Sequence, residues 1–211
     1  MKTTPAKLVL AAAAMLSTAA AQVIDLGSQR ELMVDHYLID SMAGAELRMQ
    51  EPHNEGVAFD FSQPHEGAFS GYVTMITLPD GSGYRAYYRG LPVAVGAGSP
   101  EEITAYAESA DGITWTKPAD NVVLNDDRGV AHNFSIFYDP KPGVPADERW
   151  KGIGGLNRSG LFRMVSADGV TWRKFEHDTP MLPAVPEGAG YYRFDSQNLA
   201  FWSESEQQYV C

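Results

Sequence analysis

The chain has 211 residues, 44% apolar and 20% charged, with 27 acidic against 16 basic side chains and a formal net charge of −11. That length holds one domain, or part of a larger one, with enough apolar material for a core. An acidic balance without a Lys/Arg cluster excludes a nucleic-acid partner, whose phosphates demand cationic groups, and the single cysteine, Cys211, excludes an intrachain disulfide and a CxxC metal or redox site.

Residues 1–21 begin with Lys2 and Lys7, continue with an apolar run from Leu8 to Leu16, and close on Ser17-Thr18-Ala19-Ala20-Ala21. This is the layout of a secretory signal peptide cleaved between Ala21 and Gln22. A span needs about 20 apolar residues, so the reading is export, with a secreted or periplasmic mature chain and no membrane partner after cleavage. Residues 22–65 read as an extended lead-in and the start of the main domain. Within it Leu32, Met33, Val34, Leu38 and Ile39 lack the i, i+3, i+4 stripe of a helix.

From there the chain repeats itself. Ser109-Ala110-Asp111-Gly112-Ile113-Thr114-Trp115 returns as Ser166-Ala167-Asp168-Gly169-Val170-Thr171-Trp172, a period of 57 residues. Runs rich in strand-forming residues start at Gly71, Asn133 and Asn198, each followed by a turn and a second short apolar run at 84–89, 150–154 and 209–211. One unit is therefore strand, turn, strand, variable loop, strand, Asp-Gly turn and final strand, since Asp-Gly between β-branched runs favours a hairpin. Four antiparallel strands repeated at this period predict an all-β chain, a β-propeller. At about 60 residues per unit, residues 66–211 supply about two and a half blades. The third is cut at the C-terminus, so the chain reads as the N-terminal part of a longer propeller. Asp111 and Asp168 are expected to stabilise turns, and Trp115 and Trp172 to pack the outer strands.

A propeller assembles its site where the innermost strands enter the central channel. Those entrances carry Glu66, His132, Asn133, Arg193, Asp195, Gln197 and Asn198, with Phe69, Tyr72, Tyr191 and Tyr192 nearby. Hydrogen-bonding groups beside aromatic faces are what a carbohydrate requires. For Asn133 and Asn198 the competing role is to satisfy loop backbone. No cofactor is indicated beyond a structural cation in the channel with His132 as ligand, and there is no G-x-S-x-G, Gly-rich phosphate loop or H-E-x-x-H.

The S-x-D-G-x-x-W hairpins, Tyr138-Asp139-Pro140 and Phe194-Asp195-Ser196-Gln197-Asn198 resemble secreted bacterial proteins of the five-bladed propeller superfamily of arabinanases, levansucrases and invertases, which includes glycoside hydrolase families 32 and 43. The hairpins are also similar to the sialidase Asp-box, one residue shorter between Asp and Gly. The superfamily resemblance covers residues 30–211. It implies three channel-facing carboxylates: a nucleophile or base in the first blade, an orienting acid in the second, and a general acid in the third. By position the first is Asp60 or Glu66 and the third is Asp195. The second entrance itself carries His132 and Asn133, with Asp126 and Asp127 just before. The expectation is a glycoside hydrolase acting on poly- or oligosaccharide through Asp195 with Asp60 or Glu66. The alternative is a non-catalytic propeller that binds glycan or protein through the same mouth.

Overall fold

The computed structural model describes residues 23–92, 98–125, 129–175, 178–190 and 193–211. Its most local feature is the repeated turn. In the first copy Asp111 Oδ1 accepts the Ile113 and Thr114 amides at 2.8 and 2.7 Å, and Ser109 Oγ accepts the Gly112 amide at 2.8 Å. The second copy repeats this with Asp168, Val170, Thr171, Ser166 and Gly169 at 2.8, 2.7 and 2.9 Å. Trp115 and Trp172 each donate their indole N–H to the turn glycine's carbonyl at 3.1 Å. Both glycines sit at positive φ, 79° and 75°, a conformation that disfavours any side chain. The two aspartates hold turns, as their position before Gly predicts.

The chain is all-β. β1 (Gly71–Thr77), β2 (Tyr84–Gly90), β3 (Ile103–Ser109) and β4 (Val122–Asn125) form an antiparallel meander in that order. β5 (Ser135–Tyr138), β6 (Trp150–Leu156), β7 (Gly160–Ser166) and β8 (Arg173–Lys174) form a second. β9 (Phe201–Ser203) and β10 (Gln208–Val210) pair as a hairpin. The inner strands begin two or three residues later than the sequence suggests in the second and third units. The final strand of the first sheet is split into a lone bridge, Glu108 to Thr116, followed by β4. Two stacked four-stranded meanders and an opening hairpin make a partial β-propeller.

Strand alternation decides which face each side chain covers. Tyr87, Tyr106, Val123 and Leu124 of the first sheet meet Phe134, Ile136, Trp150, Phe162 and Met164 of the second in one core. Trp172 packs against this core, edge-on to Phe134 at 5.1 Å. Each large apolar group fully buried there contributes about 1.5–3 kcal/mol. The turn of the second sheet also docks on the first: Tyr87 Oη donates to the Gly169 carbonyl at 3.0 Å, and Arg85 Nη1 donates to the Asp168 carbonyl at 2.7 Å. The opposite face of the first sheet carries Tyr88, Ile103, Ala105 and Ala107, covered by Phe59, Phe61 and Trp115.

The hairpin β9–β10 is tied to the second sheet through the predicted Tyr-Asp-Pro loop. Asp139 is fully buried and its Oδ2 accepts Lys151 Nζ and Tyr209 Oη, both at 2.7 Å. Lys141 Nζ lies over the Trp202 ring at 4.6 Å. Residues up to Asn54 form a separate unit. Its described part, 23–54, holds no helix, as its missing helical stripe predicts, and no strand, and it turns on Asp25 and Asp35, whose carboxylates accept the Gly27 and Tyr37 amides. The predicted signal segment lies outside the described residues. Among the described residues no helix is long and apolar enough to cross a membrane.

Candidate functional site

The starts of the inner strands converge, and their backbone is unusual. Three of the four non-glycine residues with positive φ among the described residues lie here: Tyr72 at 52°, Asn133 at 51° and Ser196 at 61°. Tyr72 lies within the register shift between Gly71 and Thr74 in the β1–β2 ladder, a bulge that re-aims the strand entrance.

A buried polar network joins these starts. Arg89, on β2, donates Nε and Nη2 to the Phe69 carbonyl at 3.0 and 2.7 Å, and Nη1 to Asn133 Oδ1 at 2.8 Å. Arginine only donates, so the Asn133 oxygen faces it and the amide nitrogen points away. That nitrogen donates to the Ser196 carbonyl at 2.9 Å and to His132 Nε2 at 3.1 Å. His132 therefore carries its proton on Nδ1 and donates it to Glu102 Oε2 at 2.9 Å. Glu102 Oε1 accepts the Gly98 amide at 2.9 Å and lies 3.8 Å from Arg89 Nη1. The third entrance is stitched to the others by Gln197 Nε2, which donates to the Tyr72 carbonyl and Thr74 Oγ1 at 3.0 Å each, and by the Ser135 hydroxyl, which donates to the Asn198 carbonyl.

His132 and Asn133 thus serve as positioning residues that fix the second strand entrance. Both imidazole nitrogens are occupied, which leaves no lone pair for the cation that the sequence allowed. Among the described residues no group of three or more His, Cys, Asp or Glu side chains is arranged to hold a metal. Arg89 and Glu102 were not legible as site residues. Their partners lie 44 and 30 positions away, and the only sequence signal is a charge at the end of an apolar strand.

The three candidate acids have different surroundings. Asp195 is exposed, and its Oδ1 accepts the Ser196 amide at 2.8 Å. It stands beside the Ser196 and Gln197 links to the other strands, with Tyr72 and Phe69 exposed on the first. Glu66 is buried on the opposite face of the first sheet, where Oε1 accepts Tyr88 Oη at 2.6 Å and Oε2 accepts Lys117 Nζ and the Gln63 amide at 2.8 Å. Burial pushes its carboxyl up, but the hydrogen bonds from Lys117, Tyr88 and Gln63 with the lysine charge hold it below the ordinary glutamate value. Asp60 is exposed, 3.9 Å from the same Lys117, and its carbonyl accepts that ammonium. So Lys117 gathers Asp60 and Glu66, while Asp195 stays with Asn133 and Gln197. Arg193 is exposed, its amide donating to Asn157 Oδ1 at 3.0 Å. Asp126, Asp127, Tyr191 and Tyr192 lie outside the described residues.

At the other end of the strands a groove of about 770 Å3 runs between the two sheets, lined by Tyr84, Arg85, Glu108, Asp111, Trp150 and Asp168 among others. Its charges are committed: Arg85 Nη2 pairs with Glu108 Oε1 at 2.7 Å, and the Thr114 and Ile113 amides with Ser109 lower the Asp111 carboxyl to about 2.

No protein-family model matches the chain, and no curated protein matches it. Among solved structures, one described as "The GH130 family of mannoside phosphorylases contains glycoside hydrolases that target beta-1,2 mannosidic linkages in Candida mannan" is similar over 69% of this chain, with a TM-score of 0.43 and 18% identity. The similarity spans 42% of that structure's chain.

Proposed function

We propose that this chain is a secreted or periplasmic glycoside hydrolase-like propeller that takes a poly- or oligosaccharide at the mouth where β1, β5 and β9 begin. One observation carries the reading: an exposed carboxylate, Asp195, stands beside the Ser196 and Gln197 hydrogen bonds that tie the three strand entrances together, with exposed aromatic rings at the first. Rigid polar groups orient sugar hydroxyls, the rings offer faces to C–H surfaces, and the carboxylate can exchange a proton with a glycosidic oxygen. Secretion rests on the layout of residues 1–21.

Glycoside cleavage takes two carboxyl groups flanking the bond. Asp195 is one. The sequence-derived partner is Asp60 or Glu66, and their attachment to Lys117 favours a second reading, in which the same mouth binds glycan without cleaving it. Reducing-sugar release from arabinan, xylan and mannan, with calorimetric binding of their oligosaccharides, separates the two. Under the hydrolase reading Asp195→Asn abolishes release, and release that survives this substitution rejects Asp195 as the acid. Binding without turnover in the unaltered chain selects the second reading, and absence of both removes the proposal.

A further inference from the structure

We propose that Tyr72 is a sugar-stacking platform, a ring held at the mouth to receive the C–H face of a neutral sugar. This rests on the carbohydrate reading above and names one of its contact residues. Tyr72 and Asn133 occupy the same place in successive blades, each five residues before the strand end that closes its hairpin, at Thr77 opposite Tyr84 and Tyr138 opposite Trp150. Both are left-handed, with φ of 52° and 51°. Asparagine adopts that conformation readily, whereas for a bulky ring it is an outlier. The first blade therefore accepts backbone strain that the second avoids, and strain of this kind points toward function.

Packing does not account for the ring. Tyr72 belongs to none of the hydrophobic clusters and is 38% exposed, and its hydroxyl has no hydrogen bond among the described residues. What holds it is polar and rigid. The Arg89 guanidinium lies 4.7 Å from the ring centroid and is itself fixed by Phe69 and Asn133. The Tyr72 carbonyl accepts Gln197 Nε2 at 3.0 Å, two residues from Asp195. A ring anchored by a cation, with a hydroxyl that no described residue engages and a carboxylate two residues along the chain from the glutamine that holds its backbone, suits a sugar that stacks and hydrogen-bonds together.

The test measures binding of the tetraoses of cellulose, mannan, xylan and arabinan by calorimetry, alongside thermal melting, for the unaltered chain, Tyr72→Asn and Tyr72→Phe. Asparagine relieves the backbone and removes the ring, so Tyr72→Asn is expected to melt no lower than the unaltered chain while binding weakens about tenfold or more. Tyr72→Phe keeps the ring and retains most of the affinity. If Tyr72→Asn binds as well as the unaltered chain, the platform is refuted and the carbohydrate reading stands. If it melts well below, the ring is a packing element and the inference fails. Binding of none of the four by the unaltered chain overturns the carbohydrate reading and the platform with it.

Discussion

Replacing each turn glycine by alanine separates what the turn itself requires from what sheet stacking adds. Gly112 and Gly169 sit in the same Ser-Ala-Asp-Gly-x-Thr-Trp turn, with Ile113 or Val170 as the next residue, and have nearly the same φ, so both substitutions carry the left-handed penalty of about 1–2 kcal/mol. Their surroundings differ. A Cβ on Gly112 reaches only the edge of Tyr84 at 3.5 Å, an ordinary contact. On Gly169 it would stand 2.5 Å from Tyr87 Oη and 2.9 Å from both Arg85 Nη1 and Trp150. Tyr87 is fully buried and Trp150 nearly so, so neither can swing clear. The added methyl therefore costs about 1–3 kcal/mol in overpacking, and displacing Tyr87 from the Gly169 carbonyl loses a buried hydrogen bond worth about 1–3 kcal/mol. Added together, these make Gly169→Ala destabilising by about 3–8 kcal/mol against about 1–2 for Gly112→Ala. Urea unfolding followed by both tryptophan fluorescence and far-UV circular dichroism measures each loss, with equal slopes confirming that the unfolded states are alike. Losses equal to within about 0.5 kcal/mol would refute the docking of the second turn on the first sheet, because apart from Ile113 in place of Val170 the two turns differ in that docking.

Two further outcomes follow from the buried charges. Lys117→Met strips Glu66 of its counter-charge in a fully buried setting and should cost about 3–5 kcal/mol; adding Glu66→Gln should recover much of it, and additive losses in the double variant would show that the pair is not coupled. Asp139 is pushed up by burial, but Lys151, Tyr209 and the Lys141 amide lower its carboxyl overall. A depressed carboxyl stabilises fully above its unfolded value of about 3.9, and that stabilisation is lost as pH falls through the lower folded value. Attachment of the β9–β10 hairpin should accordingly weaken below about pH 4, visible in near-UV circular dichroism, and Asp139→Asn should flatten that acid limb. An unchanged limb would assign the acid transition to other carboxylates.

What the chain's sequence determines by itself is the turn and strand pattern. The Ser-Ala-Asp-Gly turn closes through bonds spanning two or three residues, so its instruction is complete in the six residues from Ser109 to Thr114, and the repeat then sets the sheet order. Asn133 was legible as a candidate because a polar residue opens an apolar strand. Tertiary structure alone decided the site's wiring. Arg89 and Glu102 acquire their roles only when stacked sheets bring them to residues 30–44 positions away. The same holds for Glu66, which sequence position places at the strand entrance and which the fold turns to the face held by Tyr88 and Lys117. Local hydrogen bonds depend on neighbours along the chain. Which face a side chain takes, and which charge it meets there, depends on how one twisted sheet is laid upon the next.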